Sequence, residues 1–291
     1  MPGGLTKKAI AAQPEWLRQV REQVGDLRLP AGARVLFTGC GTSFHAALAC
    51  GRAAQALDLV LGHGPGADVL VAVSHEGGTR LTLEAVESFR GETWTITGAR
   101  DGEIMKAVDH VVVATPEVER SYCHTASYAC AVAAGKALLG EDVTGLPELV
   151  QRELDAEPLA ASEHDRFAVV GGAHDQATVL EAVLKLREGA HVAAEAHHTE
   201  QLLHGHLAAI DPSVRCLLLE GTGRTAERTA DVARALGELG CEWTLVASVH
   251  PVVDIVRFQR LTVDLAEARG IDPDLIRWDE EPWDRARRSY D

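Results

Sequence analysis

Short apolar segments alternate with helix-like segments along nearly the whole chain, and this alternation restricts the possible folds more than any other feature. The segments ARVLFT, DVLVAVS, TWTIT and HVVVAT predict strands, and helix-like stretches such as SFHAALACGRAAQAL, TRLTLEAVESFR and SYCHTASYACAVAAGKALL lie among or after them. PEWLRQVREQV predicts a helix before the first strand. Strands that alternate with helices indicate βα units, in which helices cover both faces of a parallel sheet.

The same pattern starts again after residue 165. FAVVGGAHDQATVLEAVLKLRE repeats the order of VLFTGCGTSFHAALACGRAAQAL, which is an apolar strand, a glycine-rich turn and a helix, and CLLLEGTG and EWTLVAS predict further strands. We therefore predict a tandem duplication of one α/β unit. The predicted boundaries are 1–150 for the N-terminal helix and the first unit, 151–165 for a polar linker, and 166–291 for the second unit and the C-terminal tail.

Charge and composition exclude several classes of protein. The net charge of −15 argues against a nucleic-acid binder and against binding to an anionic membrane surface. The first ten residues lack the apolar core of a signal peptide, and no segment approaches the length of a membrane span. The six cysteines are scattered without a CxxC pair, so we expect reduced thiols and a cytoplasmic protein.

Two loops that follow predicted strands have the composition of an anion site. The segments GCGTS (39–43) and SHEGGT (74–79) each combine glycines and hydroxyl side chains with a helix start. Free N–H groups and the positive end of the helix dipole favour an anion at such a position. Ordinary βα turns with helix caps have the same composition, and neither loop has the spacing of a nucleotide-binding motif. Glu76 lies inside the second loop, where its charge would repel an anion.

Five segments, in order, resemble the motifs of the SIS (sugar isomerase) family. They are GCGTSFHAAL, SHEGGT, ERSYCHTASY, EAVLKLRE and EQLLHGHLAAID, and they run from about residue 33 to 270. The resemblance implies two tandem SIS modules, each a three-layer αβα sandwich with a parallel, flavodoxin-like sheet, usually in a homodimer. It also implies action on a sugar or amino sugar, possibly phosphorylated, as an isomerase, deaminase or deglycase that transfers a proton through an enediol or enediolamine. No glutaminase domain precedes the module, so we do not expect ammonia production from glutamine.

The resemblance also implies roles for individual residues. Glu188 takes the place of the acid–base that moves a proton between sugar carbons 1 and 2, and His204 that of the ring-opening histidine. We add Lys185 to this catalytic set because it lies on the same helix as Glu188, and we expect neither a metal nor another cofactor. The predicted substrate-binding residues are Gly41, Thr42, Ser43, Ser74, His75, Glu76, Thr79, His124, Thr125 and Gln201.

Several positions depart from the family pattern. Glu76 replaces a loop serine, Gly78 an acidic residue, and His124 a phosphate-contacting serine. The segment after Arg269 has no lysine, although the family's synthases carry a Schiff-base lysine there. Either Glu76 points away or pairs with Arg80, or the ligand is not a phosphate held in the usual way.

Two clusters of polar residues have alternative interpretations. Glu181, Lys185 and Glu188 share one stripe of a predicted helix, which fits either a solvated face with a Glu–Lys pair or a catalytic acid–base beside a lysine. The histidine-rich stretch 191–206 places His197, Gln201 and His204 on one predicted helical face. A metal-dependent enzyme is one interpretation of that stretch. A sugar-sensing protein that has lost catalysis is a further alternative.

Overall fold

Two four-stranded sheets, both entirely parallel, form the framework of the computed structural model, which describes residues 2–290. The first sheet has the order β1-β2-β3-β4 and the second the order β6-β5-β7-β8. The strands are β1 (Val35–Thr38), β2 (Val69–Val73), β3 (Glu92–Thr97), β4 (His110–Val113), β5 (Arg166–Gly171), β6 (Ala193–His198), β7 (Val214–Leu219) and β8 (Trp243–Val246).

Helices join these strands in the predicted alternation. They are α1 (Gly4–Val24), α2 (Thr42–Cys50), α3 (Ala56–Val60), α4 (Arg80–Ser88), α5 (Ala126–Leu138), α6 (Leu146–Asp155), α7 (Gln176–Ala190), α8 (Thr199–Leu203), α9 (Arg224–Glu238), α10 (Pro251–Arg269) and α11 (Glu281–Arg287). Three short 3-10 helices lie at Glu103–Lys106, Ala173–Asp175 and His206–Ala209.

Side chains alternate between the two faces of each strand, and this divides the apolar residues among three clusters. In β2, Val69 and Val71 point into the largest cluster, whereas Leu70 points to the far face of the sheet and packs near α4. In β7, Leu217 joins the same large cluster while Leu218 packs with residues of α8 and α9. Because both of their faces are covered, the inner strands β2 and β7 are buried along their whole length and are almost entirely apolar.

One continuous core lies between the two sheets. It contains buried side chains of α1, α2, α5, α6, α7 and α10 together with inward-facing residues of both sheets. Contacts between α2 and α7 and between α5 and α10 cross from one half of the chain to the other. The α/β class with parallel sheets is therefore confirmed, and helices of both halves share one core.

Two of the local predictions that were wrong concern the segments after β1 and after α7. The segment SFHAALACGRAAQAL is not a single helix, because α2 ends at Cys50 and residues near Ala53 pair with Phe37 as an isolated bridge before α3 begins. His197, predicted to share a helical face with Gln201 and His204, lies instead in the edge strand β6, whose Ala194 pairs with Phe167 in the register. This segment has no β-branched residue, so its pairing with β5 overrides a weak local propensity.

The predicted linker 151–165 begins inside α6 and continues as irregular chain to β5. Its boundaries remain a prediction. Among residues 2–290, no helix is both long and apolar enough to cross a bilayer.

Candidate functional site

The turn between β1 and α2 presents its polar side chains to the second half of the chain. A Cβ atom on Gly39 would lie 2.7 Å from the backbone carbon of Ser43, so only glycine permits this close turn. Gly41 is exposed, with φ at 56°, and α2 begins directly after it. Thr42 and His45, three residues apart in the first turn of α2, therefore face in one direction.

A buried network of charges lies opposite this turn, on α7. Lys185 Nζ is 2.7 Å from Glu188 Oε2 and 3.4 Å from Glu181 Oε1, and the side chains of Glu181 and Lys185 are fully buried. The hydroxyl of Thr42 donates to Glu181 Oε1 and accepts from Lys185 Nζ, both at 3.2 Å. His45 Nδ1 lies 2.8 Å from Glu181 Oε2. Residues of both halves thus satisfy the network.

The charge state of the network suits proton transfer at Glu188. Burial raises the pKa of the Glu188 carboxyl above its usual range, although the Lys185 ammonium acts in the opposite direction. Burial acts to lower the pKa of Lys185, but the two carboxylates outweigh it and raise that pKa. Lys185 therefore stays protonated, while Glu188, whose side chain is 23% exposed, is the carboxylate that a ligand can reach.

The predicted stripe of Glu181, Lys185 and Glu188 is present, but it is not a solvated face. The sequence alone predicts no role for Glu181 or for His45. Glu181 and Lys185 are four residues apart on a predicted helix, and this spacing could have indicated that their side chains interact. The partner that buries Glu181, the first turn of α2, became visible only in the fold.

The loop after β2 places two histidines together. His75 Nε2 accepts a hydrogen bond of 2.9 Å from the Glu119 backbone N–H, and the rings of His75 and His124 meet edge to face at 4.9 Å. Burial lowers the pKa of His75, although the carboxylates of Glu119 and Glu76 act to raise it. Burial, with His75 and Lys185 acting in the same direction, lowers the pKa of His124 to about 3. Both imidazoles are thus neutral near pH 7.

Glu119 caps α5 and holds the segment ERSYCHTASY (119–128), the third of the family-like motifs, in place. Its Oε1 accepts from the Thr125 backbone N–H at 2.8 Å and from the Thr125 hydroxyl at 2.9 Å, and its Oε2 accepts from the Ser127 N–H at 2.8 Å. A carboxylate at a helix N-terminus compensates the helix dipole. Thr125, predicted to bind substrate, is buried here in a capping interaction. Glu119, the first residue of that motif, had no assigned role in the sequence.

A small cavity lies at the carboxyl ends of β2, β3 and β4, beneath α2 and α5. Its lining includes Thr42, Ser43, His75, Thr115, His124 and Tyr128. Ser74 is buried nearby at the end of β2. Thr42 takes part in both the cavity and the α7 network, so the two form one continuous site.

The rest of the Glu76 loop faces outward. Glu76 and Thr79 are exposed, and Glu76 makes no hydrogen bond or ion pair with any residue in 2–290. The predicted alternative partner, Arg80, instead pairs with Glu84 at 2.9 Å. Glu76 lines an open cleft of about 970 Å³ that Tyr122 and Trp278 border.

The predicted common helical face of His197, Gln201 and His204 does not exist. His197 is buried in β6, whereas Gln201 is exposed on α8. His204 follows α8, its side chain is 68% exposed, and its Nε2 lies 2.8 Å from Glu200 Oε1. No hydrogen bond or ion pair of the described chain joins His204 to Glu188. Within residues 2–290, no three His, Cys, Asp or Glu side chains converge in a way that could hold a metal.

Comparison with curated proteins gives relatives of one kind. The chain is 27% identical over 307 residues to the glutamine–fructose-6-phosphate aminotransferase (isomerizing) of Methanothermobacter thermautotrophicus, covering 88% of this chain and 51% of that protein. It is 28% identical over 349 residues to the enzyme of the same name from Aeropyrum pernix, covering 93% and 55%. The chain therefore spans about half the length of these relatives. No protein-family model matches the chain.

Solved structures share the whole fold. Glucosamine-6-phosphate deaminase from Thermotoga maritima superposes with a TM-score of 0.75 at 21% identity, covering 94% of this chain and 97% of that one. Tagatose-6-phosphate ketose/aldose isomerase from Escherichia coli gives 0.77 at 16% identity, covering 95% and 97%. The sequence relatives and the structural neighbours together confirm the predicted resemblance of this chain to the SIS family of sugar isomerases.

Proposed function

We propose that this chain acts on a sugar or amino sugar by moving a proton between adjacent carbons, as an aldose–ketose isomerase or a deaminase. The observation that carries the proposal is the buried network in which Lys185 holds Glu188, Glu181 and Thr42 hold Lys185, and His45 holds Glu181. A carboxylate with a raised pKa, partly open to a ligand, fits general acid–base catalysis beside a carbonyl. The relatives with sugar-phosphate substrates support the same class of reaction.

The proposed step uses only side chains of this site. Glu188 removes the hydrogen next to the carbonyl of the open-chain sugar, and the electron pair moves into the carbonyl oxygen to give an enediol or enediolamine. Lys185 holds Glu188 in place and, through the Thr42 hydroxyl, connects it to the first half of the site. The carbonyl oxygen takes up a proton, and Glu188 returns its own proton to the former carbonyl carbon while the neighbouring hydroxyl or amino group gives one up, so protons and electrons balance. In the deaminase reaction, water then hydrolyses the resulting imine and releases ammonia.

The test is proton exchange in heavy water. The protein should catalyse the incorporation of deuterium from the solvent at carbon 1 or 2 of a sugar substrate. The first probes are fructose, glucosamine and their 6-phosphates, and NMR measures the incorporation. Exchange that depends on Glu188 supports the proposal. The proposal fails if none of these sugars exchanges and none binds.

A sugar-sensing protein without catalysis is the second candidate, and the position of His204 favours it. The proposed ring-opening group is exposed and paired with Glu200 instead of being joined to the α7 network. Under this hypothesis, sugars raise the thermal midpoint of the protein while no carbon-bound hydrogen exchanges with solvent.

We further propose that the two sheets represent two tandem SIS modules and that the protein forms a cytoplasmic homodimer. Edge strand β8 exposes Trp243 and Leu245, and Val249 nearby is 63% exposed, which offers an apolar surface for a second copy. The proposed cytoplasmic location agrees with the six cysteines, which lie within the described chain and are all free thiols. Sedimentation equilibrium tests the dimer, and a monomer at micromolar concentration contradicts it.

A further inference from the structure

The small cavity beside the α7 network contains more polar atoms than partners for them. Thr115 Oγ1, His124 Nδ1, Ser127 Oγ and Tyr128 OH are buried and make no hydrogen bond with any described residue, and Ser74 Oγ close by shares this condition. The first four of these residues line the cavity, and Ser74 does not. An unsatisfied buried polar atom is costly, so such a concentration in one place points to a ligand group that supplies the partners.

The lining of the cavity carries no positive charge. No lysine or arginine is among the residues of the described chain that line it. Because His75 accepts a hydrogen bond at Nε2, its other nitrogen carries the only ring proton, and the imidazole is neutral. The nearest ammonium, Lys185, contacts the lining residue Thr42 but is already matched by two carboxylates.

Negative charge surrounds the cavity instead. Glu119 contacts His75 through its backbone N–H, and its carboxylate is buried in the cap of α5. Glu76 follows His75 on the exposed side of the loop, and its charge reaches the His75 ring. A phosphate in the cavity would contact two neutral imidazoles and lie near two carboxylates outside the lining, whereas hydroxyl groups can both donate to and accept from such a lining.

The size of the cavity agrees with its charge. Its volume is about 20 Å³. A small polar group such as a hydroxyl or an amino group fits this space.

We propose, on the basis of the proposed function, that the cavity accepts a hydroxyl-bearing end of the ligand, and hence that the substrates are unphosphorylated sugars or amino sugars. Thr115, Ser127 and Tyr128 then supply hydrogen bonds to ligand hydroxyls, and His75 and His124 replace the donors that a phosphate would require. The loop 74–79 still forms the turn between β2 and α4, but the charge of Glu76 disfavours an anion there.

The experiment compares matched ligands on the intact protein by calorimetry. Fructose is paired with fructose 6-phosphate and glucosamine with glucosamine 6-phosphate, and inorganic phosphate is titrated alone. We expect each free sugar to bind about tenfold or more tightly than its phosphate, because a repulsive charge near two carboxylates costs at least that much. Glu76→Ser should narrow this difference by improving the affinity for the phosphates.

Thr115→Val tests whether the cavity itself sets the preference. The variant removes an unpartnered hydroxyl, so the free protein should keep its thermal midpoint while the affinity for the free sugar falls about fivefold. The matched control is Thr95→Val, since Thr95 is equally buried but its hydroxyl already donates to the Ala72 carbonyl at 3.0 Å. The control should lower the thermal midpoint and leave sugar affinity unchanged.

Three results would overturn the inference. Tighter binding of the phosphates, or of inorganic phosphate, with deuterium exchange intact contradicts the substrate class and leaves the proposed function standing. Equal sugar affinity in wild type and Thr115→Val shows that the cavity holds no ligand group. Absence of both binding and exchange for all four sugars removes the proposed function together with the inference.

Discussion

His45 Nδ1 lies 2.8 Å from Glu181 Oε2, and this contact joins the first half of the chain to the buried end of the charged stripe on α7. Glu181 in turn lies 3.4 Å from Lys185, which holds Glu188 at 2.7 Å. The position of the proposed acid–base therefore depends on a residue three contacts away, in the other half of the molecule. One site therefore contains residues from both halves of the chain.

We expect Glu188→Gln to retain ligand binding while the rate of deuterium exchange falls by about 10²- to 10⁴-fold, the usual contribution of a general acid–base. The amide keeps the shape of the side chain but cannot accept the proton. Exchange rates by NMR and ligand-induced shifts in thermal midpoint measure the two properties separately. Glu87→Gln, at an exposed position on α4, is the control and should exchange like wild type. Near-normal exchange in Glu188→Gln would contradict the assigned role.

Lys185→Met should lower the free energy of unfolding by about 3–5 kcal/mol, because it leaves two buried carboxylates without their cation. Urea denaturation measures the change. Lys136→Met serves as the control, since the Lys136–Glu141 pair is partly exposed and such pairs contribute less than about 1 kcal/mol. Adding Glu181→Gln to Lys185→Met should recover part of the loss. Equal losses in the two lysine variants would show that the buried network does not stabilise the fold.

Asp254, at the start of α10, should make stability fall as the pH rises. Burial raises its pKa to about 7, although the backbone N–H groups of Val249 and His250 act to lower it. The folded state therefore holds a proton that the unfolded chain has lost between about pH 4 and 7, and stability declines through that window by up to about 1.4 kcal/mol per pH unit. Asp254→Asn lacks this decline.

The measurement is the difference in unfolding free energy between Asp254→Asn and wild type at several pH values. The difference should grow from pH 4 to 7 in favour of the variant and then level off. Asp101→Asn, at an exposed loop position, controls for the substitution itself. A difference that stays constant with pH contradicts the raised pKa.

Borohydride should trap no sugar adduct in the segment after Arg269. That segment contains arginines but no lysine, and a guanidinium is a poor nucleophile. Lys185 is also an unsuitable nucleophile, because it is buried and its two carboxylates keep it protonated. Peptide mapping by mass spectrometry after borohydride treatment with glucosamine and its phosphate is the test. An adduct within residues 270–290 would require a different mechanism.

The regular alternation of strands and helices was predictable from the sequence because buried parallel strands must be apolar on both faces. Within residues 2–290, seven of the eight strands were predicted from the pattern of short apolar segments. Strand β6 was not, since its residues AAEAHH carry little strand propensity and the segment is extended only because β5 provides hydrogen-bonding partners along its edge. The start of α5 was likewise placed too early, because the buried carboxylate of Glu119 caps the helix at Thr125.

The sequence by itself determined the fold class, the glycine turns after the strands, and the stripe that places Glu181, Lys185 and Glu188 on one side of α7, because these depend on local spacing and on glycine's conformational freedom. Only the tertiary structure decided that the stripe is buried, that Thr42 and His45 satisfy it, and that His75 and His124 meet in a cavity without a cation. Burial and charge pairing depend on which surfaces come together across the two halves, and the spacing of residues along one segment does not contain that information.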